Sequence, residues 1–279
     1  MNYVRQPIQL FQSLLNVFLK YNMIVIAGPC LAESKEVVEE VSERLAEITK
    51  KLPVTFFFKA SYKKANRTSG TSFQGIGDEE ALSLLANVRN KLNVPVLTDI
   101  HEVKDVEIVS PFVDVLQIPA FLCRQTELLI AAGKANKIVN IKKGQFLAPE
   151  AMKYAVEKVQ SGGNSTTWVT ERGTTFGYHD LVVDFRSLVV MKELNVPVIY
   201  DATHSVQTPS ISNQSGGNPQ YIRALARAAT AVGIDGIFFE THPNPAKAKS
   251  DAATQMPLTA VESFLTEIVE LHSYANKFS

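Results

Sequence analysis

Short apolar runs rich in Val, Ile, Phe and Thr alternate along this chain with segments whose apolar residues recur every three or four positions. The runs predict strands over 23–27, 54–59, 94–99, 113–118, 138–142, 167–171, 196–201 and 236–240. Between them, Val37, Val38, Val41, Leu45, Ile48 and Leu52 mark one face of a helix that Ser34 can cap. Asp78 opens the next, with Leu82, Leu85 and Val88 on its apolar face. Further helices are expected over 102–109, 125–135, 149–160, 180–194, 219–232 and 257–276, three of them with Pro at the start, where its missing N–H costs nothing. Strict strand–helix alternation over about 250 residues predicts an α/β fold, a single-domain (β/α)8 TIM barrel. An open doubly wound sheet is the rival, but no Gly-x-Gly-x-x-Gly follows the first run. Residues 23–279 are read as the barrel, and 1–22 as a leader forming a cap or an amphipathic helix.

Composition narrows the function. The 279 residues carry a formal net charge of zero, which removes the simplest case for a nucleic-acid or polybasic membrane binder. The most apolar N-terminal stretch, 10–19, is interrupted by Gln12, Ser13 and Asn16 and falls short of the roughly 20 residues a membrane span needs. Cys30 and Cys123 cannot build a disulfide framework, so a reducing, cytoplasmic setting is expected.

Chemistry collects at the strand ends, where barrels keep their active sites. Those ends carry Cys30, Lys59, Asp99, Gln117, Lys142, Arg172, His204 and Glu240. Lys63, Lys64 and Arg67 follow the second strand, Arg124 the fourth and Lys143 the fifth. So many cations on one face of a neutral protein fit a small polyanion. An exposed, solvated loop is the ordinary explanation for Lys63 and Lys64, and the favoured one for Lys63; Lys142 and Arg172 are stronger candidates than Lys63 or Lys143. A thiolate, an imidazole and two carboxylates, from Cys30, His204, Glu240 and Asp251, suit a borderline divalent ion such as Zn²⁺, Fe²⁺ or Mn²⁺. Their spacing decides nothing, because they meet only if the barrel closes.

The motifs carry a family resemblance. Ala-Gly-Pro-Cys (27–30), Phe-Lys-Ala-Ser (58–61), Lys-Ala-Asn-Arg-Thr-Ser (64–69) and Thr-Asp-Ile-His-Glu (98–102) occur in order. Gln-Ile-Pro-Ala-Phe-Leu-Cys-Arg-Gln-Thr (117–126), Asn-Ile-Lys-Lys-Gly-Gln (140–145) and Glu-Arg-Gly-Thr-Thr-Phe-Gly-Tyr (171–178) follow. Asp-Ala-Thr-His-Ser-Val-Gln (201–207) and Glu-Thr-His-Pro-Asn-Pro (240–245) complete the set. Over about residues 23–275 the chain resembles the 3-deoxy-D-manno-octulosonate 8-phosphate synthases, aldol-type enzymes built on a (β/α)8 barrel. The resemblance implies condensation of phosphoenolpyruvate with D-arabinose 5-phosphate and water, with loss of phosphate, toward the lipopolysaccharide inner-core sugar. Two alternatives stay open: the related 3-deoxy-D-arabino-heptulosonate 7-phosphate synthases, which use erythrose 4-phosphate, and a catalytically silent phosphometabolite-binding barrel. The loop Lys-Ala-Asn-Arg-Thr-Ser resembles the arabinose-using enzymes rather than the Lys-Pro-Arg-Thr-Ser of the erythrose-using ones.

By that resemblance Lys59, Asp99, Lys142 and His204 are the expected catalytic residues. Lys59, Gln117, Lys142 and Arg172 would hold phosphoenolpyruvate, and Lys64, Asn66, Arg67 and Thr68 the sugar phosphate. Arg124 would reach a neighbouring subunit's sugar phosphate in a homotetramer. Cys30, His204, Glu240 and Asp251 match the metal-dependent branch, implying one divalent transition metal per subunit; the metal-independent branch places Asn at the position of Cys30. Arg67→Ala is expected to weaken sugar-phosphate binding by about 1.5–3 kcal/mol, the worth of a charge-assisted contact. Arg172→Ala is expected to weaken phosphoenolpyruvate binding instead, and separate KM measurements for the two substrates check this division.

Overall fold

The computed structural model describes residues 22–65, 73–164, 166–208 and 216–278. The leader expected over 1–22 therefore lies outside the described residues except for Asn22, as do Asn66, Arg67 and Thr68.

Eight parallel strands close on themselves. They are β1 (Met23–Gly28), β2 (Val54–Lys59), β3 (Val96–Asp99), β4 (Val115–Ile118), β5 (Ile138–Lys142), β6 (Thr167–Glu171), β7 (Val198–Asp201) and β8 (Gly236–His242). Each pairs with the next, and β8 returns to β1 with Gly28 opposite Glu240. The helices are α1 (Lys35–Thr49), α2 (Asp78–Leu92), α3 (Val103–Val109), α4 (Thr126–Lys134), α5 (Met152–Ser161), α6 (Arg186–Lys192), α7 (Ile222–Val232) and α8 (Val261–Ala275). Ser34 caps α1 as expected, its side chain accepting from the Val37 N–H. None of the described helices is long and apolar enough to cross a membrane.

Strand starts expected at Val94 and Val196 move two residues on, because Pro95 and Pro197 offer no N–H to the sheet. The helix expected over 180–194 begins only at Arg186. Asp180–Val182 instead pairs antiparallel with Thr174–Phe176, and Gly177 takes the turn at φ 70°. Asp184 then accepts from the Arg186 N–H and starts the helix. Pro149 and Pro219 open one-turn 3-10 helices ahead of α5 and α7, whereas Pro257 ends a two-residue strand beside β8.

Alternation along the strands sorts the side chains. One buried cluster takes Ile24, Ile26, Phe57, Leu97, Val115, Ile138, Trp168, Ile199 and Phe238, with at least one member from every strand. It fills the lumen. The complementary positions, such as Val25, Phe58, Leu116 and Ile141, pack outward with the helices. Two residues further along each strand, the lumen-facing positions become Gly28, Lys59, Asp99, Gln117, Asn140, Thr170, Asp201 and Glu240. The barrel is therefore apolar below and polar above, and the polar layer floors the mouth.

Closure is tight at the β1–β8 seam. A Cβ on Gly236 would lie 2.6 Å from both Ile24 Cβ and Ile199 Cδ1. Gly236→Ala should overpack the lumen and cost about 1–3 kcal/mol, read as a lower midpoint in urea unfolding.

Candidate active site

The polar layer holds its charges in pairs. Lys59, at the end of β2, crosses to β8: its Nζ donates to Glu240 Oε1 at 2.7 Å and to the Cys30 carbonyl at 2.9 Å. Both side chains are almost fully buried. Burial works against the Lys59 ammonium, but Glu240 and Asp99 outweigh it and raise its pKa above the ordinary lysine value. Lys142, at the end of β5, donates to Asp201 Oδ2 on β7 at 2.6 Å and stands 3.7 Å from the Phe238 ring centroid.

Asp201 organises the next turn of chain. Its Oδ1 accepts from the backbone N–H of Thr203 and His204, and its Oδ2 lies 2.9 Å from His204 Nδ1. With Nδ1 held there, Nε2 is turned toward Glu240 Oε1, 3.7 Å away. Burial would raise the Asp201 pKa, yet His204 and Lys142 hold it far below the usual carboxylate range.

The loop after β8 brings Asp251 back over β1. Asp251 sits at φ 45°, a left-handed conformation that Asp tolerates better than most residues. Its Oδ2 accepts from Cys30 Sγ at 3.0 Å and from Lys64 Nζ at 3.1 Å. Glu33 ties the two loops together, accepting from the Lys249 N–H at 2.8 Å and bonding His242 Nε2 at 3.2 Å. Gln255 does the same one turn away, accepting from the Cys30 N–H and donating to the Ser250 carbonyl. Burial lifts the Cys30 thiol well above its ordinary pKa, with Asp251 and Glu240 adding to the effect.

Cys30, Glu240 and Asp251 each offer a ligand atom within 4.8 Å of the others. Glu240 Oε2 is buried and has no hydrogen-bond partner, the condition of an acceptor shaped for a cation. A thiol and two carboxylates beside an imidazole form a mixed S/N/O donor set suited to a transition ion. The residues thus fit a metal. The structure brings together three of the four residues in the expected set and leaves His204 beside Glu240, at 3.7 Å.

Arg172, just past β6, is buried, and burial lowers its pKa. Its Nη2 donates to the neutral Gln207 amide at 2.9 Å, and Nη1 has no partner. Among the described residues no carboxylate pairs with it. Gln117 and Asp99 adjoin on β4 and β3, with Gln117 Nε2 donating to Asp99 Oδ1 at 2.5 Å. Burial would raise the Asp99 pKa, but Lys59, His101 and the hydrogen bonds from Gln117 and Ser61 bring it below the usual range. Lys143 is fully buried, bonding loop carbonyls and Thr174 and lying 3.5 Å from Glu171, so it braces the mouth instead of lying solvated. Arg124 is exposed after the 3-10 turn Ala120–Leu122.

Asn140, Thr170 and Asp201 belong to the polar layer, and Ser61 joins it by its bond to Asp99; none was singled out from the sequence. The signal existed: each strand residue lies two positions beyond an apolar lumen residue. Strand ends alone reveal only Asp201, the last residue of β7.

A sequence model of the DAHP synthetase I family matches residues 20–277. The chain belongs to this family. A protein of Xanthomonas euvesicatoria pv. vesicatoria named 2-dehydro-3-deoxyphosphooctonate aldolase is 52% identical over 262 residues, covering 94% of this chain and 95% of its own. Proteins of the same name from Syntrophotalea carbinolica and Koribacter versatilis are 51% and 49% identical. These two alignments cover 88% and 89% of this chain, and 90% and 91% of theirs.

Because the Cys30 pKa is raised, the thiol keeps its proton at neutral pH, and a bound metal must displace it. Apparent Co²⁺ affinity should therefore tighten by up to about tenfold per pH unit below the thiol pKa. Optical titration of the sulfur-to-cobalt charge-transfer band checks this, and Cys30→Ala should lack the band.

Proposed function

We propose that this member of the family condenses phosphoenolpyruvate with D-arabinose 5-phosphate and water, giving 3-deoxy-D-manno-octulosonate 8-phosphate and phosphate. The observation that carries the reading is Arg172. A buried guanidinium with an unpartnered Nη1, and with no carboxylate paired to it among the described residues, is a ready anion site. The names of the relatives, from the Xanthomonas protein to the Koribacter one, support the octulosonate product over the heptulosonate one.

In this reading carbon 3 of phosphoenolpyruvate attacks the sugar aldehyde while water adds at carbon 2. The resulting tetrahedral phosphohemiketal expels phosphate by C–O cleavage. Lys142, Arg172 and Lys59 hold the phosphate and carboxylate of phosphoenolpyruvate and stabilise the charge that develops, with Gln117 offering an amide donor. Lys59 is poorly suited to an imine: a lysine nucleophile needs a depressed pKa, and Glu240 raises this one. Asp99 stays an acceptor and fits a sugar hydroxyl or the water. Lys64, Asn66, Arg67 and Thr68 take the sugar phosphate.

Cys30, His204, Glu240 and Asp251 would hold one divalent transition ion, a Lewis acid able to orient the aldehyde or polarise water. The two cysteines are buried and free, in keeping with a reducing cytoplasm. Phe121, Phe146 and Phe176 are exposed, which favours burial between copies of the chain, and the exposed Arg124, three residues on from Phe121, fits the cross-subunit role in a homotetramer.

Phosphate release from phosphoenolpyruvate, measured with each sugar phosphate before and after chelation, tests the reading. Arabinose 5-phosphate should support turnover and erythrose 4-phosphate should not, and chelation should abolish activity without unfolding the barrel. Cys30→Asn should keep measurable activity that chelators do not change. Turnover only with erythrose 4-phosphate, or none with either sugar, would overturn the proposal.

A further inference from the structure

A line of hydrogen bonds runs across four strands beneath the mouth. Thr170 Oγ1 donates to Asn140 Oδ1 at 2.7 Å, and Asn140 Nδ2 donates to Gln117 Oε1 at 2.9 Å. Gln117 Nε2 donates to Asp99 Oδ1, and the Ser61 hydroxyl donates to Asp99 Oδ2. All five residues are buried, and Thr170 and Asn140 are completely so. Strand register sets the spacing: Asp99 pairs with Gln117, Gln117 with Asn140, and Lys142 with Thr170, which brings Thr170 one lumen step above Asn140.

The direction of this line is forced from one end. An ionised carboxylate only accepts, so Gln117 must turn its NH₂ toward Asp99. Its carbonyl then faces Asn140, which must present an NH₂ in turn. The Asn140 carbonyl is left facing Thr170, and the hydroxyl is the donor that satisfies it. Each bond in the line has one direction: reversing the Gln117 amide would set carbonyl against carboxylate and NH₂ against NH₂, and reversing the Asn140 amide would set carbonyl against carbonyl. Lys59 and His101 are the charged or titratable groups acting most strongly on Asp99, and neither replaces the Gln117 bond.

We propose that Asn140 and Thr170 are positioning residues that fix the Gln117 amide in one orientation. Gln117 then offers substrate a single remaining N–H, and Asp99 is presented as an acceptor. The inference rests on the function proposed above for what Gln117 and Asp99 contact, but the orientation itself does not. A buried layer built only for packing would fill these positions with apolar side chains at no loss. A fully satisfied, one-directional line that ends on two candidate substrate contacts has a use that packing alone does not supply.

Two substitutions at Thr170 isolate the hydroxyl. Thr170→Val keeps the shape and removes the donor, while Thr170→Ser keeps the donor. Thr170→Val should lower kcat/KM for phosphoenolpyruvate by about 5- to 100-fold, the range for orphaning a buried acceptor, and Thr170→Ser should stay within about twofold of the parent. Asn140→Leu should fall at least as far as Thr170→Val.

A second readout needs no turnover. The Gln117 side-chain NH₂ resonances, assigned by Gln117→Glu in ¹⁵N-labelled protein, should be split, with one proton shifted downfield and slow to exchange. Thr170→Val should move that pair toward the free-amide position, and Thr170→Ser should not. Overlapping parent and Thr170→Val spectra and kinetics would overturn the inference, as would a Thr170→Ser as impaired as Thr170→Val. If the parent fails to use arabinose 5-phosphate, the proposed function falls, while the resonances still decide the orientation.

Discussion

Everything at the mouth depends on closing the sheet between β8 and β1. Gly28 lies opposite Glu240 there, and a Cβ on Gly28 would come within 1.9 Å of the Lys59 carbonyl. The absence of that atom lets β1 and β2 approach closely while Lys59 reaches across the seam to Glu240. The ion pair is almost fully buried, so its desolvation is expensive, and breaking it by removing one partner would leave a bare charge in the lumen. The seam therefore does two jobs. It completes the backbone hydrogen bonding of the barrel, and it brings Cys30, Glu240 and Asp251 within reach of one another although 221 residues separate the first from the last.

The mouth has a consistent electrostatic plan. Lys59 faces Glu240, Lys142 faces Asp201, and Lys64 faces Asp251. Each pair joins different parts of the barrel, so each charge is also a tie between segments. Arg172 breaks the pattern by facing a neutral amide, the feature on which the proposed phosphoenolpyruvate site rests. Asp201 serves twice, since it holds the Lys142 ammonium and sets the direction of the His204 ring.

Much of this was legible in the sequence. Strand–helix alternation gave the barrel, and strand-end chemistry pointed to Lys59, Asp99, Gln117, Lys142, Arg172 and Glu240, which the structure gathers at one mouth. What escaped has physical reasons. The helix expected over 180–194 failed in its first turns because residues 180–182 find antiparallel partners across the Gly177 turn, a tertiary preference invisible in a local window. Lys143 ranked below Lys142 in the sequence, yet it is equally buried, among loop carbonyls beside Glu171; a doubled Lys-Lys does not show that both face inward. Asn140 and Thr170 sit mid-strand in runs that read as apolar. Only counting in steps of two from the lumen residues Ile138 and Trp168 exposes them.

The left-handed backbone at Asp251 has a consequence for how this corner can vary. Asp and Asn are the non-glycine residues that visit such a conformation routinely, and they have almost the same shape. Exchanging the carboxylate for an amide there would ask nothing new of the chain. It would nevertheless remove one negative charge, strip Lys64 of its ion-pair partner and take a strong donor away from any cation held beside Cys30. Contour and charge are thus separable at this lip of the barrel. Its preference between a metal ion and a neutral hydrogen-bonded arrangement can turn on the replacement of one oxygen by nitrogen, with the loop around it left as it stands.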